Sequence, residues 1–181
     1  MMFGVAFALL IALPSLSLAN QGGFQATPCG TDVTDPSYVA VHEFDSKRDA
    51  AADIQAAIKQ AQKTGKRIIL DVGGDWCSYC HQMDEFFQQH PDLLQMRDRN
   101  FITVAVYFGK DNKNEQVLSQ YSKLLGIPHF FVLEKDGTLL YSQHVVELRA
   151  GGNYNPEKMR DFLAAWSPSC SANGTKANLL P

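Results

Sequence analysis

The sequence lacks several features that would assign it to a functional class at once. Charged residues make up 19% of its 181 positions and the formal net charge is −3, so no basic surplus favours nucleic acid or an anionic membrane. It contains no Gly-x-Gly-x-x-Gly, no phosphate-binding loop motif, no Ser/His/Asp signature and no internal repeat. With 45% hydrophobic residues, it is expected to form one globular domain with a buried core and no nucleic-acid partner.

Charge is absent altogether from residues 1–19. The apolar run within them extends from Phe3 to Leu13, about eleven residues against the ~20 needed to span a bilayer. Small residues at Ser17 and Ala19 suit signal-peptidase cleavage, although the usual positive residues at the start are missing. We expect a signal peptide cleaved near Ala19, with an uncleaved anchor as the alternative, and a mature form that does not span the membrane.

Cysteine is scarce, with four residues in the whole chain. Cys77 and Cys80 form a Cys-x-x-Cys motif, whereas Cys29 and Cys170 lie near the two ends of the mature chain. Exported proteins favour disulfides and domain termini are often close together, so the outer two are a candidate structural disulfide. Two unpaired thiols are the alternative.

The segment from Arg67 to His81 carries the chemistry. It consists of an apolar strand, the turn Gly73-Gly74, and a Cys-x-x-Cys that opens a helix. A cysteine at a helix start lies beside unpaired N–H groups and the positive end of the helix dipole, which stabilise a thiolate. Cys77 is therefore the expected nucleophile, and Cys80, on the same helical face, can close a disulfide with it.

Hydrophobic periodicity and capping residues predict strands alternating with helices. The predicted helices are 50–64, 77–90, 91–97, 115–125 and 156–166, and the predicted strands are 67–72, 101–107, 129–134 and 138–143. A short edge strand is possible at residues 38–42. This order predicts an α/β fold with a mixed central β-sheet flanked by helices on both faces, the Cys-x-x-Cys lying at the surface where the central strand ends.

Residues 44–166 resemble the thioredoxin superfamily, between an irregular lead-in (residues 20–43) and a polar tail (residues 167–181). The resemblance rests on Trp76 directly before the motif, Asp71 six residues before Cys77, and Gly126-Ile127-Pro128 followed by a strand. Gly-Gly-Asp-Trp-Cys-x-x-Cys-His is most similar to exported bacterial members, which implies a thioredoxin-like fold.

The resemblance also implies a role for each motif residue. Cys77 would attack a substrate disulfide and Cys80 would resolve the mixed disulfide. Asp71, buried behind the cysteines with a raised pKa, would take the proton that Cys80 loses.

The substrate-binding residues implied by the resemblance lie on either side of the motif. Pro128 would be cis, and its loop with Ile127 would offer backbone groups to an extended substrate. Trp76 would pack over the cysteines. His129, next to Pro128, is a further residue that could face the site.

Together these features predict an exported, periplasmic thiol–disulfide oxidoreductase acting on protein thiols and disulfides. Trp76, Asp71 and Ile127 favour the reducing direction, with a disulfide oxidase or isomerase as the alternative. Ser78-Tyr79 replaces the Gly-Pro of cytosolic thioredoxins, so the potential is not fixed by the motif. We expect a monomer that works with a redox donor or acceptor protein and needs no cofactor beyond the Cys77–Cys80 disulfide.

Three other classes of site share part of this pattern. Cys-Ser-Tyr-Cys-His81 fits a c-type haem attachment motif, with Met96 or Met159 as a second axial ligand, but it follows a strand and a glycine turn. Zinc would need further ligands at suitable spacing, and the histidines are scattered, so no metal is expected. A binding or chaperone module would not need two cysteines at a helix start.

Overall fold

Helices and strands alternate along residues 37–169, the part of the chain that the computed structural model describes. In chain order the elements are α1 (Ala50–Thr64), β1 (Arg67–Gly73), α2 (Ser78–Gln89), α3 (Pro91–Asn100), β2 (Phe101–Tyr107), α4 (Glu115–Leu118), β3 (His129–Leu133), β4 (Leu139–His144), a 3-10 helix (Val145–Leu148), β5 (Arg149–Ala150), β6 (Asn153–Tyr154) and α5 (Pro156–Trp166). None of the described helices is long and apolar enough to cross a membrane.

Strand β1 lies at the centre of a four-stranded sheet with the order β2-β1-β3-β4. It runs parallel to β2 and antiparallel to β3, and β3 pairs with β4 in an antiparallel hairpin. This confirms the predicted mixed sheet. The pairing of Val72 with His129 sets Pro128 beside the end of β1 from which the Cys-x-x-Cys follows.

Alternate residues of β1 enter two hydrophobic layers, because successive side chains of a strand point to opposite faces. Ile68, Leu70 and Val72 pack in one layer with α1 and α4, and Ile69 packs in the other with α2, α3 and α5. Helices therefore cover both faces of the sheet, as predicted. The same alternation assigns Asp71 to the face covered by α2 and α3.

Helix α1 has the predicted bounds, and local signals explain both ends. The Asp49 carboxylate accepts a hydrogen bond from the backbone N–H of Ala52, and Gly65 ends the helix with a φ of 73°. Helix α5 likewise begins at the predicted position, since the Asn155 side chain accepts from the N–H of Lys158.

The prediction of a long helix at residues 115–125 is wrong, because α4 is a single turn that ends at Leu118. The carbonyl of Gln116 accepts hydrogen bonds from the Ser119 hydroxyl and the Gln120 side-chain amide. The backbone N–H of Gln120 bonds instead to the carbonyl of Val117, three residues back. Side chains thus compete for the carbonyl that the next helical turn would use.

A small hairpin of β5 and β6, absent from the predicted elements, lies between β4 and α5. Gly151 and Gly152 connect its strands with φ angles of 60° and 89°. Positive φ at both central residues is what a two-residue hairpin turn requires, so Gly-Gly was a sequence signal for it.

The start of the described chain contributes one bridge to the sheet. Val41 pairs with Val104, and the Val41 carbonyl accepts from the N–H of Ala105 at 2.9 Å. The possible edge strand at residues 38–42 is thus reduced to a single bridge. The predicted signal peptide, Cys29, Cys170 and most of the tail lie outside the described residues, and the domain bounds stay predictions.

Candidate active site

Cys77 occupies the N-cap position of α2 and is joined to Cys80 by a disulfide, with 5.2 Å between their Cα atoms. The Cys77 sulfur accepts a hydrogen bond from the backbone N–H of Cys80 at 3.2 Å. The N–H of His81 bonds to the Cys77 carbonyl. A sulfur in this place takes the role of a capping oxygen, and the Cys80 N–H would stabilise negative charge on it after reduction.

The glycine that ends β1 lets the disulfide approach the sheet. A Cβ on Gly73 would lie 2.8 Å from the Cys80 sulfur and 2.6 Å from the ring of Phe44. No side chain fits in that space, which explains why glycine precedes the motif at this point.

The two sulfur-bearing residues lie just below the surface rather than on it. Cys77 and Cys80 are 4% and 3% exposed, whereas Trp76 and Tyr79 are 56% and 49% exposed. The prediction of a surface site therefore needs correction: the cysteines are buried by the helix start, and the aromatic residues beside them face solvent.

Trp76 is held over the edge of the sheet by its indole. Its Nε1–H donates to the carbonyl of Phe108 at 3.1 Å. Gly74 and Gly109 leave room for the ring, since a Cβ on either residue would meet the indole nitrogen. The ring beside the first cysteine is therefore both fixed and exposed.

Asp71 lies on β1, two residues before Gly73 and on the same face of the strand. Its Oδ1 is buried and has no hydrogen-bond partner among residues 37–169. Burial raises the pKa of Asp71 to about 7, with the nearby Asp84 carboxylate acting in the same direction and the Arg97 guanidinium acting against it. The carboxyl can therefore hold or release a proton near neutral pH.

The loop before β3 contains the predicted cis bond, between Ile127 and Pro128. Pro128 is buried and Ile127 packs partly against the core. Because Val72 pairs with His129, this loop and the Cys-x-x-Cys lie at the same edge of the sheet. The structure thus brings together the predicted cysteines, acid and proline loop.

His129 belongs to the core. It is fully buried, its Nε2 lies 2.7 Å from the Ser142 hydroxyl, and its ring packs against Phe131 in the layer under α1. Burial lowers the pKa of His129 to about 4, and the neighbouring His144 acts in the same direction while Glu147 opposes it. A neutral core imidazole is the role that these contacts support.

Both cysteines and the histidine of the haem-attachment motif have partners within the protein. The sulfurs of Cys77 and Cys80 are bonded to each other, and the His81 Nε2 lies 2.7 Å from the carbonyl of Asp75. Within residues 37–169 no group of three or more potential ligand side chains could hold a metal ion.

Sequence reasoning missed the residues that contact the motif from the β5–β6 hairpin. The Arg149 guanidinium carbon lies 4.5 Å from the Tyr79 ring centroid and 4.8 Å from that of Tyr154. The Tyr154 hydroxyl donates to the Tyr79 carbonyl at 3.0 Å. The Gly-Gly turn signals the hairpin, but no local pattern shows that it reaches α2.

A family model described as thioredoxin-like matches residues 49–135. The thiol:disulfide interchange protein DsbD of Pseudomonas fluorescens is 27% identical over 108 residues, which are 59% of this chain and 18% of that protein. DsbD of Klebsiella pneumoniae is 23% identical over 117 residues, 65% of this chain and 18% of the relative. The chain thus spans less than a fifth of either relative.

Two solved structures support the fold. A disulphide isomerase from Xylella fastidiosa, 23% identical, has a TM-score of 0.59 and covers 70% of this chain and 98% of its own. The oxidised C-terminal domain of Neisseria meningitidis DsbD, 21% identical, has a TM-score of 0.50 and covers 67% of this chain and 97% of its own.

Proposed function

We propose that this chain, which matches a thioredoxin-like family model over residues 49–135, is a thiol–disulfide oxidoreductase that reduces protein disulfides outside the cytoplasm by dithiol–disulfide exchange. The observation that carries the proposal is the Cys77 sulfur at the N-cap of α2, where it accepts the N–H of Cys80. That position favours a thiolate and makes Cys77 the attacking residue.

The reaction runs in two balanced steps. The Cys77 thiolate attacks one sulfur of a substrate disulfide, forms a mixed disulfide and expels the other substrate sulfur as a thiolate. The Cys80 thiol then loses its proton and attacks the Cys77 sulfur, which releases the second substrate thiolate and leaves the Cys77–Cys80 disulfide. Two electrons pass from the protein to the substrate, and no cofactor is required.

Asp71 is the proposed acceptor of the Cys80 proton. It lies behind Gly73 on the same strand face, and Gly73 is the residue whose missing side chain makes room for the Cys80 sulfur. A buried carboxyl with a pKa of about 7 can accept a proton at neutral pH and release it later.

The proposal extends to the substrate-binding residues and to the compartment in which the protein acts. Trp76, Ile127 and cis-Pro128 would bind the substrate chain beside Cys77, and the uncharged apolar segment at residues 1–19 supports export. The partners would be exported proteins with thiols or disulfides and a redox protein that returns electrons to the Cys77–Cys80 pair.

Insulin reduction with dithiothreitol as electron donor tests the activity. Cys77→Ala should abolish turnover, and Cys80→Ala should accumulate mixed disulfides, visible on a gel without reductant. The double variant Cys29→Ala/Cys170→Ala, which also removes two cysteines, serves as control and should keep its turnover. Full activity in Cys77→Ala would contradict the mechanism.

The reduction potential tests the direction. Equilibration of the mature protein with glutathione mixtures should give a value of about −250 mV or below for a reductase. A value of about −120 mV would instead identify an oxidant of exported thiols.

A further inference from the structure

The β5–β6 hairpin contacts the residues between the two cysteines through one arginine. Arg149 begins β5, and its guanidinium carbon lies 4.5 Å from the Tyr79 ring centroid and 4.8 Å from that of Tyr154. Its Nη1 donates to the Gln82 side-chain oxygen at 3.0 Å, and its Nη2 donates to the carbonyl of Gly152. The guanidinium is therefore fixed on both edges while its face meets aromatic rings.

The Tyr79 backbone and the hairpin that carries Arg149 are also fixed by hydrogen bonds. Tyr154 is buried, and its hydroxyl donates to the Tyr79 carbonyl at 3.0 Å. The Lys158 ammonium donates to the carbonyls of Glu147 and Arg149 at 3.0 Å each, which ties the hairpin to α5. Tyr154 thus fixes the Tyr79 backbone and Arg149 fixes the Tyr79 ring, and both belong to a hairpin that is itself bonded to α5.

Tyr79 itself is left half open to solvent. Among residues 37–169 six large hydrophobic side chains are exposed, and two of them, Trp76 and Tyr79, lie directly before the two cysteines. Exposed aromatic rings around a reactive pair provide contact area for a second chain. A ring that is already ordered loses less entropy when a partner binds to it.

We propose that Arg149 is a positioning residue that holds the Tyr79 ring as a wall of the substrate site, so that Tyr79 selects polypeptide disulfides over small ones. This deepens the proposed function and rests on it. The β5–β6 hairpin, which carries Arg149, follows residues 49–135, the part of the chain that matches the family model, whereas Tyr79 lies within that part.

Single-turnover reduction by the pre-reduced protein separates this role from the chemistry of the dithiol. Rate constants are measured with insulin and with hydroxyethyl disulfide, which has no polypeptide to touch Tyr79. Arg149→Met should lower the rate constant with insulin about fivefold, the size of one partly desolvated cation–π contact, and change that with hydroxyethyl disulfide less than about twofold. The reduction potential should stay unchanged.

Further variants identify the cause. Arg149→Lys keeps the charge but lacks the planar fork, so it should resemble Arg149→Met. In a Tyr79→Ala background Arg149→Met should have no further effect, as expected for a residue that acts only through Tyr79. Arg160→Met, which removes an arginine from the exposed Asp92 pair, is the matched control and should behave as wild type. Thermal unfolding of each variant checks that it is folded.

Three results would overturn the inference. They are an unchanged insulin rate in Arg149→Met, an equal loss with both disulfides, and a loss that persists without the Tyr79 ring. Absence of insulin reduction by the wild-type protein would instead overturn the proposed function, and this inference with it.

Discussion

The Tyr154 hydroxyl and the Tyr79 carbonyl form a 3.0 Å hydrogen bond across 75 positions of the sequence. Burial raises the pKa of Tyr154 to about 12; the Arg149 guanidinium acts against this shift, and the charges of Asp71 and Tyr79 add to it. The phenol therefore stays protonated at neutral pH and remains a donor. One buried side chain of the hairpin thus anchors the backbone between the two cysteines.

Removal of this bond should destabilise the protein measurably. Tyr154→Phe keeps the ring but leaves the Tyr79 carbonyl without this partner, and we expect the free energy of unfolding to fall by about 1 kcal/mol. Urea unfolding of the oxidised protein measures the change. Tyr141→Phe, whose ring stacks on Trp166 at 4.5 Å, is the control and should stay within about 0.5 kcal/mol of wild type.

The carboxyl of Asp71 should make stability fall as pH rises. Its pKa is about 7 in the fold against a usual value of 3.8, so the folded state binds the proton more tightly than the unfolded state. The contribution of this carboxyl to the free energy of unfolding is fully present below pH 3.8 and is lost as pH rises through about 7. Asp71→Asn should therefore be more stable than wild type at pH 8, by up to about 4 kcal/mol.

Urea unfolding of oxidised wild type and Asp71→Asn from pH 4 to pH 8 checks this sign. Asp84→Asn is a useful second variant, because removal of its charge should shift the transition of Asp71 to lower pH. A stability difference between wild type and Asp71→Asn that does not change with pH would refute the raised pKa.

Asp71 should also determine the pH dependence of turnover. If its ionised form takes the Cys80 proton, insulin reduction by wild type should increase as pH rises through about 7. Asp71→Asn should be slower by about 10- to 100-fold and should lose that inflection. An unchanged inflection in the variant would assign it to another group.

The buried imidazole of His129 should have the opposite effect on stability. Its pKa is about 4 in the fold against a usual 6.5, so the unfolded state binds the proton more tightly. Stability from this group is present above pH 6.5 and is lost as pH falls through about 4. His129→Leu should remove this decrease in the free energy of unfolding at acid pH, which amounts to about 3 kcal/mol. Above pH 7 the difference in unfolding free energy between the variant and wild type should not change with pH.

Gly73→Ala tests the close approach of the sheet to the disulfide. The new Cβ would lie 2.8 Å from the Cys80 sulfur and 2.6 Å from the Phe44 ring, so we expect a loss of about 1–3 kcal/mol in unfolding free energy. Phe44→Leu in the same chain should recover part of that loss, since it removes one of the two clashes. Equal stability of Gly73→Ala and wild type would show that a Cβ at residue 73 fits beside the Cys80 sulfur and the Phe44 ring.

Local signals in the sequence determined much of the fold. The Asp49 and Gly65 caps set α1, and Asn155-Pro156 set the start of α5, because these side chains and backbone angles act on their immediate neighbours. The motif likewise placed Cys77 at the start of α2. Local reasoning failed at α4, where bonds from Ser119 and Gln120 to one carbonyl outweighed helical periodicity.

Tertiary structure alone decided the surroundings of the disulfide. The sequence identified Asp71 as the acid, but its pKa depends on burial and on Asp84 and Arg97 from the covering helices. Arg149 meets Tyr79 only because packing brings the β5–β6 hairpin onto α2. Caps and turns arise from neighbours in sequence, whereas desolvation, electrostatic fields and ring contacts arise from groups that are adjacent only after the chain has folded.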